Sequence, residues 1–351
     1  MSNFTPGLIA LLGSGETAPA AGVVYDQLTR TAQAPLKLAI LETPAGFQPN
    51  AARVAGKVAE YLATRLQRLR PQIVQLPARA RGTALSPDNP ATTEGLRDAG
   101  LIFLGPGSPT YTVQQLQGSL AWTRLVARQR RGVPLVTASA ATIAMGALAL
   151  PVYEIYKVGA ELHWQPGLDL LRPYGLALVF VPHWDNAEGG AELDTSRCFM
   201  GRERFARLLA LLPDDLTVVG IDEHTGLILD LGAGVGHVLG RGGVTIVRGG
   251  AEQRIEQKGR LALSELGPLH LPAPDVGLDA AVWADMASVE TVAAVPAAPA
   301  APAEVLALVA AREAARASRD WAAADVLRGR IAALGWQVQD TPAGPVLRDE
   351  G

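Results

Sequence analysis

Cysteine is almost missing: there is one, Cys198, in 351 residues. That excludes a disulfide framework within the chain and leaves no CxxC motif for a metal or redox centre, so a reducing cytoplasm is the expected setting. An excess of either charge is lacking too. With 31 Lys and Arg against 34 Asp and Glu, the total argues for neither a nucleic-acid nor a membrane surface. Met1 to Gly15 has no basic stretch, and Leu8 to Leu12 is too short for a signal-peptide core. The uncharged span Gly132 to Tyr153 approaches membrane length, but Pro134, Ser139, Pro151 and many small residues suit a buried strand, turn and helix better. No transmembrane segment and no metal or organic cofactor are expected. What the chain does have is 351 residues, long enough for one large domain and a smaller one, and 48% hydrophobic residues to supply a buried core.

Apolar runs and helical stretches alternate along the first part. Leu8 to Leu12 reads as a buried strand ending in the turn Gly13-Ser14-Gly15-Glu16, and Leu38 to Leu41 as a second ending at Thr43-Pro44. Val54, Val58, Tyr61, Leu62 and Leu66 have helical spacing within 51–70. Ile73 to Leu76 is a third strand, Thr92 to Ala99 a helix, and Leu101 to Leu104 a fourth strand leading into Gly105-Pro-Gly-Ser108. The pattern predicts an α/β fold with a mostly parallel sheet and helices on both faces, ligands lying beyond the carboxyl ends of the strands. From Thr217 on, short runs between glycine turns predict an antiparallel end to the domain. Neither GxGxxG nor GxxxxGK[ST] is completed at Gly13 to Glu16, so that turn reads as part of a cleft wall.

At the same edge, Val133 to Val136 reads as a buried strand and Ala140 to Leu150 as a small-residue helix, with Ser139 between them. A serine at a strand-to-helix turn presents its hydroxyl beside free helix N–H groups, as an acyl-transfer nucleophile requires. The alternative is a small residue packing helix on strand, and Thr137 and Ala141 stand where the usual G-x-S-x-G has glycines. An oxyanion hole needs two N–H donors: Ala140 offers one, and since Pro106 has none, Gly107 or Ser108 must offer the other. A plain Pro-Gly turn is the competing reading of that loop.

Of five histidines, His183 follows the apolar run Leu178 to Pro182 and so reaches the strand-end edge, which makes it the candidate base; His224 is a competitor. Glu154, alone in an uncharged stretch, needs a partner and is the candidate orienting carboxylate, with Asp185 and Asp222 as substitutes. Arg202, Arg204 and Arg207 open a helix as a solvated face, although an arginine in the cleft grips a substrate carboxylate well. Ser108, Asp185, Asn186 and Arg202 are candidate substrate-binding residues.

The last part differs. Thr291 to Ala303 is an Ala/Pro linker, so the expected domains are 1–270, an extension and linker over 271–303, and a helical module over 304–351. Leu306, Val309, Trp321, Val326, Leu327 and Ile331 make an amphipathic helical hairpin with a break near Ser318 to Asp320, followed by a strand and turn over Gly335 to Gly344.

Two resemblances follow from these residues. Gly105-Pro-Gly-Ser108, Ala138-Ser139-Ala140, Pro182-His183-Trp-Asp-Asn186 and Gly220-Ile-Asp-Glu-His-Thr225 resemble the glycine loop, nucleophile turn, histidine segment and following segment of the serine peptidases of the peptidase E (aspartyl dipeptidase) and cyanophycinase family, over residues 1–250. The resemblance implies a class I glutamine amidotransferase-like fold, with Ser139 as nucleophile, His183 as base, Glu154 as orienting acid, and Gly107 and Ala140 as oxyanion donors. A glutamine amidotransferase itself is not implied, because the nucleophile position holds serine. Residues 308–344 resemble the C-terminal end of cysteinyl-tRNA synthetases, which lies in their anticodon-binding part, with no synthetase catalytic domain present. Five arginines against four acids from Glu304 to Leu334 make a weak basic surface, so a packing or interaction module competes with an RNA contact. The expected function is a serine-type peptidase or isopeptide-like amide hydrolase whose partner is a small peptide, with a homodimer compatible. The rival is a non-catalytic binding protein whose tail contacts tRNA or a protein.

Overall fold

A computed structural model describes residues 5–287, 302–318, 320–341 and 344–349. Five of the expected runs are strands: Ile9–Leu12 (β1), Lys37–Leu41 (β2), Gln72–Leu76 (β3), Leu101–Leu104 (β4) and Leu135–Ala138 (β5). The short pair Leu148–Ala149 (β6) and Gln165–Pro166 (β7) follows. Then come Leu178–Val181 (β8), Thr217–Ile221 (β9), Thr225–Asp230 (β10), Val235–Gly240 (β11), Val244–Arg248 (β12), Ala251–Ile255 (β13) and Arg260–Ala262 (β14). The helices of this part are Gly22–Leu28 (α1), Ala51–Arg65 (α2), Pro109–Leu116 (α3), Leu120–Arg130 (α4), Ala140–Ala144 (α5), Val152–Tyr156 (α6), Gly201–Leu209 (α7) and Ala280–Asp285 (α8).

The large sheet has the order β14-β11-β10-β1-β5-β4-β2-β3. Its five strands from β1 to β3 are parallel neighbours, while β10, β11 and β14 extend it antiparallel. Both faces are covered, as parallel strands require. Ile9 and Leu11 belong to one core with Ile102, Leu104 and Leu135, whereas Ala10 and Leu12 belong to the other with Leu101, Phe103 and Val136. The period of two in strand side chains divides the sequence between two cores.

One expectation changes here. The strand before His183 is not in the same sheet as the strand before Ser139: β8 lies in a second sheet of order β13-β12-β9-β8. β8 and β9 are parallel, with Val181 opposite Gly220. The helix expected over 92–99 is a 3-10 helix at Ala91–Leu96, and the one after Ser139 ends at Ala144, since Leu148 and Ala149 pair with β7.

The chain divides into two compact units, 1–291 and 292–351. Residues 271–287 pack on the first: Arg131 on α4 stacks over Trp283 at 3.7 Å, and Arg97 pairs with Asp285 at 2.6 Å. Apart from Pro302 and Ala303, the Ala/Pro stretch beyond Thr291 lies outside the described residues, as does Thr291 itself. The second unit holds Ala303–Ala317 (α9), Trp321–Ala333 (α10) and the antiparallel hairpin Trp336–Thr341 (β15) with Gly344–Asp349 (β16). Asp320 caps α10, accepting the Ala323 N–H at 3.0 Å. Val305, Leu308, Ile331, Trp336 and Val338 form its core. Three positions expected on the apolar face, Leu306, Trp321 and Val326, are exposed, because the packed stripes fall on 305/308/312 and 324/327/331. Among the described residues no helix is long and apolar enough to cross a membrane.

Candidate active site

Ser139 stands between β5 and α5 with φ 52° and ψ −114°. A positive φ at a non-glycine residue costs roughly 1–3 kcal/mol and persists only where the surroundings impose it. Here they do: Leu12 O accepts both the Ser139 N–H (3.2 Å) and the Thr142 hydroxyl (3.0 Å), and Thr142 also meets the Thr137 hydroxyl at 3.0 Å. Thr137 and Ala141, in the places of the usual glycines, are fully buried. Their small side chains, together with the hydroxyl tie to β1, hold the turn without the glycines.

The Ser139 Oγ lies 3.0 Å from His183 Nε2. His183, just beyond β8, also has a positive φ, 51°. Its segment is anchored by Trp184, which is buried with its indole over Gly220; a Cβ on Gly220 would lie 2.3 Å from that ring, so β9 must carry a glycine here. The Arg197 guanidinium stacks over the Trp184 ring at 3.8 Å, and the Phe199 ring centroid is 5.7 Å from that of His183.

The carboxylate behind the imidazole is Glu223, not Glu154: His183 Nδ1 and Glu223 Oε1 are 2.8 Å apart. Glu154 sits on α6, and its Oε2 is buried with no hydrogen-bond partner among the described residues. The reason is the pairing of β8 with β9. Val181 and Gly220 are opposite each other, so the residues just beyond each strand leave at one edge and bring His183 and Glu223 together. Glu223 has a pKa lowered to about 2, chiefly by the hydrogen bond from His183, with burial opposing and Asn186 assisting. It is ionised at neutral pH.

The loop after β4 lies across from Ser139, since Leu104 pairs with Thr137. Gly107 packs so closely that a Cβ would sit 1.8 Å from Pro44 O. The Ser108 N–H donates to Pro44 O at 2.9 Å and its hydroxyl caps α3 by accepting the Tyr111 N–H, so Ser108 is committed to the fold. Gly107 is then the loop's candidate donor, and Ala140, the first residue of α5, has an N–H without an intrahelical acceptor.

The remaining candidates separate. Asp185 accepts the Glu223 backbone N–H at 2.7 Å, and Asn186 donates to Glu223 Oε1 at 2.9 Å; both brace Glu223. Arg202 lines a cavity of about 430 Å³ with Arg197, Arg254 and Glu252. Asp222 is buried and paired with Arg254 at 2.6 Å. His224 donates its backbone N–H to Ser14, while its Nδ1 is buried without a partner among the described residues. Cys198 is buried, which pushes its thiol pKa far up, so it is no competing nucleophile. Among the described residues no group of three or more His, Cys, Asp and Glu side chains is placed to hold a metal ion.

A solved structure of a peptidase from an acI-B1 actinobacterium matches 74% of this chain and 98% of its own, with a TM-score of 0.59 and 23% identity. At that identity the likeness establishes a shared α/β fold. A putative peptidase E protein from Listeria monocytogenes EGD-e matches 72% of this chain and 98% of its own at a TM-score of 0.42 and 12% identity. Residues 298–345 match the family model of the cysteinyl-tRNA ligase anticodon binding domain. Within the chain, 41 residues are 56% identical to the cysteine–tRNA ligases of Caulobacter vibrioides strains NA1000 and ATCC 19089. That stretch is 12% of this chain and spans only 9% of the ligase.

Proposed function

We propose that the first unit is a serine peptidase acting on a short peptide or an isopeptide-like amide. The observation that carries this reading is the contact of Ser139 with His183: residues 44 apart, following strands of different sheets, both held at positive φ, with their functional atoms 3.0 Å apart. A serine merely packing a helix on a strand needs no such imidazole. His183 Nε2 takes the proton as Ser139 Oγ attacks the scissile carbonyl. Glu223, ionised and bonded at Nδ1, fixes the tautomer that leaves Nε2 able to accept, and stabilises the imidazolium as it forms. Gly107 and Ala140 N–H groups stabilise the oxyanion. The imidazolium then protonates the leaving amine, and water hydrolyses the acyl-enzyme by the same base. A reducing cytoplasm suits the single buried thiol.

The test is fluorophosphonate labelling with peptide mapping. Labelling confined to Ser139 and absent from Ser139→Ala is the expected result; a Ser139→Ala protein that labels or turns over substrate as fast as wild type overturns the reading.

The tail supports a second role. Its match to an anticodon binding domain favours a tRNA contact. Salt-sensitive tRNA binding that is lost on removal of residues 303–351 is the expected outcome of a filter-binding titration, and binding unchanged by that deletion rules it out.

A further inference from the structure

Glu223 Oε1 receives two donors from one short loop. His183 bonds it at 2.8 Å and Asn186 Nδ2 at 2.9 Å, three residues apart in sequence. Asn186 is only 2% exposed, which leaves little of its carboxamide for a substrate to meet. Its amide has one workable orientation. Oδ1 accepts the Glu188 N–H at 3.3 Å, so turning the amide over would set an oxygen against the carboxylate and an NH₂ against an N–H. The loop is closed on itself: the Asn186 N–H donates to His183 O at 3.2 Å, and Asn186 O accepts the hydroxyl of buried Thr195 at 3.4 Å. Beside it, Asp185 Oδ1 accepts the Glu223 N–H at 2.7 Å. The segment that carries the imidazole thus also grips its acidic partner, by side chain and by backbone.

We propose that Asn186 is a positioning residue of this site, holding Glu223 Oε1 against the imidazole and sharing the charge of that oxygen, rather than a residue that touches substrate. The inference rests on the peptidase reading for its consequence in catalysis, although the brace itself does not. Two physical effects follow. With Asn186 in place, Glu223 Oε1 is held toward Nδ1, so the imidazole is held ready for Ser139. With its N–H withdrawn, the carboxylate charge falls undivided on the imidazole, which favours the imidazolium while loosening its aim. The other ionisable groups around the pair are Asp185 on the same loop, His224 next to Glu223, the thiol of Cys198, a residue whose backbone N–H donates to His183 O, and Tyr153 on α6 near Cys198. None of them is altered by a change at Asn186.

The test is carried out on the full chain with two substitutions, Asn186→Ala and the near-isosteric Asn186→Leu, and with two measurements. One is the titration midpoint of His183, followed by NMR of ¹³C-labelled histidine and assigned with His183→Gln. The other is the rate of fluorophosphonate labelling at Ser139. Asn186→Ala is expected to raise the midpoint and slow labelling by about tenfold, the order set by losing a hydrogen bond to a charged group. Asn186→Leu, which keeps the branched shape but has no donor, is expected to raise the midpoint in the same direction and serves if the alanine variant does not fold. A midpoint equal to wild type in the variants overturns the proposal, whatever the labelling rate, because a purely packing role slows labelling without moving the titration. A midpoint that rises in a protein whose wild type never labels keeps the brace and removes the peptidase reading instead.

Discussion

Glu154 and Glu223 show how burial and partnership divide two carboxylates. Glu154 has an isolated, partly orphaned position on a short helix, whereas Glu223 takes hydrogen bonds from His183 and Asn186. Under the proposed mechanism, Glu223→Gln lowers kcat by about 10³–10⁴-fold, since the amide no longer fixes the imidazole tautomer. Glu154→Gln, measured in the same assay, leaves kcat within a few fold. The reverse order would return the orienting role to Glu154. Stability carries a second signature of Glu223. Its folded pKa, lowered to about 2, lies below the ordinary glutamate value near ~4.3, so its contribution is present above the latter and is lost as pH falls through the former. Melting curves of wild type should therefore drop relative to Glu223→Gln between about pH 4.5 and pH 2, with the difference constant at neutral pH; parallel curves across that window would show that the native state does not favour the ionised form.

At the level of elements, the candidate site is a meeting of four strand ends: β5 into α5 for Ser139, β4 into α3 for Gly107, and β8 with β9 for His183 and Glu223. Much of this was legible. The runs Leu8 to Leu12, Leu101 to Leu104 and Leu178 to Val181 stand out because strands buried on both faces need uninterrupted apolar residues. Ser139, Gly107 and His183 could be picked because each follows such a run directly. Glu223 also follows one, at the same offset from β9 that His183 has from β8, and that offset was the available signal. What no local pattern shows is that β8 and β9 pair in a second sheet, because pairing is a long-range choice between strands of similar composition. The exposure of Trp321 was hidden for a related reason, since helical phase is fixed by the partner helix. The loop after β4 offers a direct test of close packing. Gly107→Ala places a methyl where Pro44 O already lies, so it should cost about 1–3 kcal/mol, read by denaturant unfolding, and displace the amide from the oxyanion. A variant as stable as wild type, with labelling unchanged, would mean the loop has room that its geometry denies.

At the scale of the whole molecule, the two units have separate hydrophobic cores: strands and helices of 1–291 share two large clusters, and Val305, Leu308, Ile331, Trp336 and Val338 form the third. A core that shares no residue with another gives a domain its own folding free energy, and changes at distant sites with no shared partners combine nearly additively. Every residue of the candidate site, from Gly107 to Glu223, lies in the first unit, and so do α4 and α8, which meet through Arg131 and Trp283. A chain ending at residue 291 should therefore fold and label at Ser139 within about twofold of the full-length rate. The same truncation is expected to remove any tRNA binding, so one variant separates the two proposed functions. If labelling instead falls with the tail, the second unit takes part in forming or covering the cleft, and the two activities must be treated as coupled.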